Sequence, residues 1–100
     1  NQLRKVVKQM VYMITYDLNS PGQNYEKVKQ AIIDASTGAW ITCSESSYLI
    51  QSYFQTADEI FSIIEPALDK NDNIFIVEVK DNKQGYLPKN SWDYINNKIF

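Results

Sequence analysis

"MVYMITYDLNSPGQNYEKV", residues 10–28, decides how this chain is read. Its first part, 11–18, is nearly continuous in apolar and aromatic side chains and too short for an ordinary helix. Val, Ile, Thr and Tyr dominate it, which predicts a strand buried on both faces. Asn19-Ser20-Pro21-Gly22 has the chemistry of a turn. Tyr25, Val28, Ile32 and Ala35 then recur at spacings of three and four, with Glu26, Lys27, Gln30 and Asp34 on the other side. That spacing predicts an amphipathic helix over 24–36, stopped by Thr37-Gly38. The strand therefore ends on a carboxylate, Asp17, just before a turn. Such a group can be a metal ligand, a catalytic group, or an acceptor for the turn's own N–H groups.

Working outward, 39–45 and 47–53 are two β-leaning runs joined by the polar tract "SESS", and a hairpin is the simplest reading. Thr56-Ala57-Asp58-Glu59 forms a capping box that opens a second helix. Ile60, Ile63, Ile64 and Ala67 supply its apolar side, and Pro66 ends or kinks it near Glu65. Asn71-Asp72-Asn73 is a turn before a fourth strand over 74–79. Gly85-Tyr86-Leu87 reads as a short extra strand. Asn90 or Ser91 is placed to cap a last helix with Trp92, Ile95 and Ile99 on one side.

The order strand, helix, strand, strand, helix, strand is that of an α+β, ferredoxin-like βαββαβ domain, an antiparallel sheet with two helices on one face, followed by a short strand and helix. Helices on one face leave the other to be accounted for, and dimerisation is one common solution in a small domain. Trp40, Tyr48, Tyr53 and Phe75 are candidates for that second face or for the core.

Composition narrows the chemistry. The 100 residues are 44% hydrophobic and 13% aromatic, enough for one globular core. Formal net charge is -2, which removes the broad positive footprint of a protein held on DNA through many phosphates. Local basic groups remain at Arg4, Lys5 and Lys8 and at Lys27 and Lys29. The chain has no histidine and a single cysteine, Cys43, so Ser-His-Asp and Cys-His catalysis and Cys/His zinc sites are excluded as usually built. One cysteine allows no internal disulfide, and a reducing cytoplasm is the expected compartment. No apolar run approaches the roughly 20 residues of a membrane span, and no membrane partner is expected. Residues 1–9 are read as an uncertain N-terminal extension, with Met10 as a candidate natural start, and 10–100 as one domain.

"MITYDLNSPGQNYEKVKQAI", followed by "AW", "SSYLIQS", "NIFIVEV" and "GYLPKNSWDYI", resembles the small bacterial and phage proteins labelled SinR-family. These in turn resemble the CRISPR-associated Cas-two family and the VapD-like ribonucleases. The likeness spans about residues 10–96, and its most specific parts are Tyr16-Asp17-Leu18-Asn19 with Pro21-Gly22, and Gly85-Tyr86-Leu87 with Trp92-Asp93. It implies a ferredoxin-fold homodimer with a late strand reaching the partner's sheet. It also implies that Asp17 matches the aspartate assigned to metal-dependent nuclease work in the Cas-two family. The basic residues that often follow that aspartate are replaced here by Ser20-Pro21-Gly22-Gln23.

The site residues follow. Asp17 is the candidate catalytic group and ligand for magnesium or manganese, hard cations that keep several waters, so that one carboxylate per subunit suffices if a dimer pairs two. Tyr16, Asn19, Ser20 and Gln23 are the candidate binding residues around it. Tyr12 and Tyr16 share one side of the strand, where aromatics either stack bases or pack, and packing is preferred for a central strand. Cys43 is read as a small buried hydrophobe, and Ser44, Ser46 and Ser47 as hairpin residues. Tyr86, Leu87 and Trp92 are the expected dimer contacts, and Asp93 suits a helix first turn.

Three functions are expected from different classes: a Cas-two-like dimeric binding or scaffold module, from a phage or mobile element, beside nucleic acid or a defence protein; a magnesium-dependent nuclease using Asp17 from each subunit; and a small-ligand-binding regulatory dimer. Fold alone does not separate them.

Overall fold

β1 (Met10–Asp17) is an inner strand with a partner on each side, which is why its sequence is so apolar. In the computed structural model, which describes residues 8–19 and 25–100, it pairs antiparallel with β3 (Ser47–Ser52) and with β4 (Asn73–Glu78). β2 (Trp40–Ser44) lies beyond β3, giving the order β2-β3-β1-β4 with every neighbouring pair antiparallel. β1 and β2 are therefore parallel to each other with β3 between them, and β3 and β4 are parallel with β1 between them. α1 (Tyr25–Ala35) makes the first of these crossovers and α2 (Ala57–Ile64) the second. The expected extension over residues 1–7, with Arg4 and Lys5, and the loop of Ser20, Pro21-Gly22 and Gln23 lie outside the described residues.

Alternation along β1 divides its side chains between two cores. Tyr12, Ile14 and Tyr16 face both helices and pack with Val28, Ile32 and Ala35 of α1, Ile60 and Ile64 of α2, and Tyr48 and Ile50 of β3. This face is closed by hydrogen bonds as well. The buried Ser52 hydroxyl donates to the Ala35 carbonyl at 2.8 Å and accepts from the Phe54 N–H at 3.2 Å, tying the end of α1 to β3. The Tyr12 hydroxyl donates to the Phe54 carbonyl at 2.8 Å. The capping box expected at α2 is present: Thr56 Oγ1 accepts from the Glu59 N–H at 3.2 Å, and Glu59 Oε1 accepts from the Thr56 N–H at 3.1 Å. Pro66 lies in a 3-10 turn, Glu65–Ala67, immediately after α2, where it cannot break an α-helical hydrogen bond.

The second face carries Val11 and Leu49, packed against Ile95 and Ile99. These two isoleucines belong to a π turn, Ile95–Ile99, that continues the short α3 (Lys89–Tyr94). The Gln51 amide donates to the Ile99 carbonyl at 3.3 Å and anchors that turn to β3. Cover by α3 is partial. In β1 the second face is buried at Val11 but exposed at Thr15 and Asp17, so the expectation of a strand buried on both faces holds for its first half alone.

Two further expectations are corrected here. Gly85-Tyr86-Leu87 is not a strand. The segment lies on the second face and packs Leu87 against that core, and it pairs with no strand of the sheet. Neither Asn90 nor Ser91 caps α3: the helix starts at Lys89 after Pro88, whose φ of -55° suits a helix entry, and no side chain caps it. Of the four aromatics left between core and second face, Tyr48 is in the helix-face core and Trp40 packs beside it, whereas Phe75 and Tyr53 are exposed.

Candidate functional site

The open end of the second face is built by the last residues of β1 and the first of β4. Asp17 pairs with Asn73, and Thr15 with Phe75. Thr15, Asp17 and Phe75 share the second face by alternation, and all three are exposed. They border a cleft of about 310 Å3 together with Ser46, Ser47 and Asn73. The cleft offers a carboxylate, hydroxyls and a carboxamide, oxygen ligands of the kind a hard cation takes. Among the described residues no group of three or more Asp, Glu, Cys or His side chains is placed to hold a metal. A cation there would rest on Asp17 and neutral oxygens within one chain.

The turn beside the site is held by another residue. The Asp72 carboxylate accepts from the Asn19 N–H and from the Asp69 N–H, each at 2.8 Å, joining the end of β1 to the loop before β4. The Asx role that residue type suggests for Asp17 is thus filled at the Asn19 N–H by Asp72, and Asp17 stands exposed on the strand end.

Tyr16 is placed differently from its neighbour. Its ring is buried on the helix face, stacked on Tyr48 at 6.2 Å between centroids and tilted against Tyr25 at 5.9 Å. Its hydroxyl donates to the Glu45 carbonyl at 3.4 Å, a long contact. Burial, and then the adjacent Tyr48, push the Tyr16 phenol well above its ordinary value. Tyr12 is raised for the same first reason, with Glu78 and Glu59 adding negative charge. Neither ring is free to stack a base, in keeping with the packing reading. Asn19 is exposed next to the site, and Ser20 and Gln23 lie outside the described residues.

The expected dimer residues fall into two kinds. Leu87 and Trp92 are half-buried, Leu87 against this chain's own sheet, whereas Tyr86 is fully exposed. All three border a second hollow of about 220 Å3, with Met13, Cys43 and Leu49 on its floor. Cys43 is half-buried, and burial raises its thiol. Lys83, also at this hollow, bonds Asp81 and lies 4.6 Å from the centre of the Phe100 ring.

Sequence reasoning passed over Ser46, Ser47 and Asn73 at the cleft, and Val77 on the open second face. A signal was present for Val77. "NIFIVEV" is apolar at successive positions, which in an edge strand means that one set of side chains has no helix to pack on. Nothing in the residue types separates the hairpin serines at the cleft from ordinary turn residues. Among the described residues no helix is long and apolar enough to cross a membrane. No protein-family model matches the chain, and no curated protein matches it.

Proposed function

We propose that this protein is a homodimeric binding or scaffold module of the Cas-two-like kind, acting beside nucleic acid or a defence protein. The carrying observation is the half-open second face, where Phe75 is 67% and Val77 39% exposed on a strand whose other side is packed. A patch of that kind on a small domain marks an interaction surface. The βαββαβ chain order, the strand order β4-β1-β3-β2 when read from the other edge, and both crossover helices on one face support a ferredoxin-like assignment. That architecture in turn supports the resemblance drawn from the Tyr16-Asp17-Leu18-Asn19 motif.

A metal-dependent nuclease is the second reading, favoured by the exposure of Asp17 in a cleft with Ser46, Ser47 and Asn73. One carboxylate holds magnesium weakly, so this reading needs the dimer to bring a second Asp17 near the first. Labelled RNA and DNA incubated with the protein, with magnesium or manganese and then with chelator, separate the two. Under the module reading neither wild type nor Asp17→Asn cleaves, and both remain dimeric. Metal-dependent cleavage lost in Asp17→Asn would replace it with the nuclease reading. A monomer at every concentration would remove both.

A further inference from the structure

The hollow of about 220 Å3 lies within one chain, between the sheet and segment 83–87. Its lining takes Met13 of β1, Cys43 of β2 and Leu49 of β3 from the sheet, Trp92 of α3 and Ile95 of the π turn from the end of the chain, and Leu87 from the segment. Lys83, Gln84 and Tyr86 bring its polar atoms. We propose that this hollow binds a small, neutral aromatic molecule, which enters beneath segment 80–87. The site is complete in a single chain and does not rest on the homodimer reading.

Size, lining, charge and cover each narrow the occupant. An apolar cavity of about 150 Å3 holds benzene, so about 220 Å3 holds a ring compound of about nine non-hydrogen atoms. The thioether of Met13, the thiol of Cys43 and the indole of Trp92 all face the space, and sulfur and aromatic groups both favour an aromatic guest. The charge present is already paired. The Lys83 ammonium bonds Asp81 and lies 4.6 Å from the centre of the Phe100 ring, so an anion would have to break that arrangement to find a partner. A charge without a partner among apolar walls is costly. Among the described residues every buried side-chain nitrogen and oxygen has a hydrogen-bond partner, so no stranded polar group calls for a polar guest. The cover also supplies a way in. Among the described residues, the hydrogen bonds of segment 80–87 all close within it: the Asn82 N–H donates to the Lys80 carbonyl at 2.8 Å, the Lys83 ammonium to Asp81, and the Gly85 N–H to Gln84 Oε1 at 2.9 Å. Leu87 in the second core and Lys83 over Phe100 hold it to the body. Lifting it breaks no hydrogen bond to the sheet, the mark of a segment that opens locally at small cost.

Methyl NMR on the full chain, titrated with indole, tests the proposal, because indole is neutral and of about the size the hollow takes. Saturable shifts are expected at the methyls of Met13, Leu49, Leu87 and Ile95, with those of Val28, Ile32 and Ile60 on the helix face unmoved. Cys43→Leu brings a larger apolar side chain into the hollow from the sheet. It should keep or raise the melting temperature and weaken indole binding at least about tenfold, the effect of added bulk in an apolar pocket. Benzoate, a charged ring compound of similar size, should bind at least about tenfold more weakly than indole to wild type. Shifts that do not saturate, or that appear first on the helix face, would overturn the proposal, and this wild-type titration decides alone should Cys43→Leu fail to fold. A folded Cys43→Leu that binds indole as wild type does would overturn the placement in the hollow. Tighter binding of benzoate than of indole would overturn the neutral class and give the site to an anion held by Lys83.

Discussion

The two faces of one sheet are finished to different degrees. On the helix face, Tyr12, Ile14, Ile32, Ile50, Ile60 and Ile64 are at most 1% exposed, and the buried serine on that face has its hydrogen bonds satisfied. On the second face, α3 and its π turn cover the part over Val11 and Leu49, and the part over β4 is left open. Both faces are apolar in sequence. What differs is the number of covering helices: α1 and α2 both pack on the helix face, whereas α3 with the π turn that continues it is alone on the second. One helix, about 10 Å across, covers about two strands at about 4.8 Å each and leaves the others open. Its limit sets where Phe75, Val77 and the Asp17 cleft are exposed.

That contrast can be broken by mutation, and the largest effect belongs to the closed face. Ile60→Ala, at a fully buried position, should cost about 2–5 kcal/mol in urea unfolding. A loss as small as that of an exposed side chain would mean the helix face is looser than described. Ser52→Ala comes next: it strands the Ala35 carbonyl and the Phe54 N–H, at about 1–3 kcal/mol by the same measurement. Thr56→Ala removes one arm of the capping box and should cost about 1 kcal/mol, with helix α2 losing amide-exchange protection first.

The smallest effect sharpens the comparison through pH. Burial raises the phenols of Tyr16 and Tyr12 in the folded state. An unfolded tyrosine loses its proton near pH 10, whereas these keep theirs, so the folded state binds more protons above that pH. Their contribution is fully present below about pH 10 and falls as pH rises through the folded values. Tyr16→Phe should therefore flatten the alkaline fall in melting temperature while changing little of the pH dependence near neutrality, where the phenol keeps its proton folded or unfolded. An unchanged alkaline slope would show that Tyr16 titrates as if exposed.

Much of the helix face was legible beforehand. Spacings of three and four located α1, the Thr56 and Glu59 pair located the start of α2, and Pro66 located its end, because each rests on local backbone chemistry. The site was legible as Asp17 and no further. Ser46 and Ser47 reach it from the β2–β3 turn and Asn73 from β4, through strand pairing that no local pattern states. The extra-strand reading at Gly85-Tyr86-Leu87 failed for a related reason: β-compatible residues form a strand only where another strand's backbone pairs with them, and here Leu87 packs on a sheet face instead.

By itself the sequence determined the element order, the two-sided apolar character of β1, and the absence of histidine and disulfide chemistry, all of which follow from residue type and spacing. Tertiary structure alone decided that Tyr16 and Asp17, adjacent in the chain, serve opposite faces, and that α3 stops short of β4. Burial is a property of what lies opposite a side chain, and that partner is set by packing between elements distant in the chain.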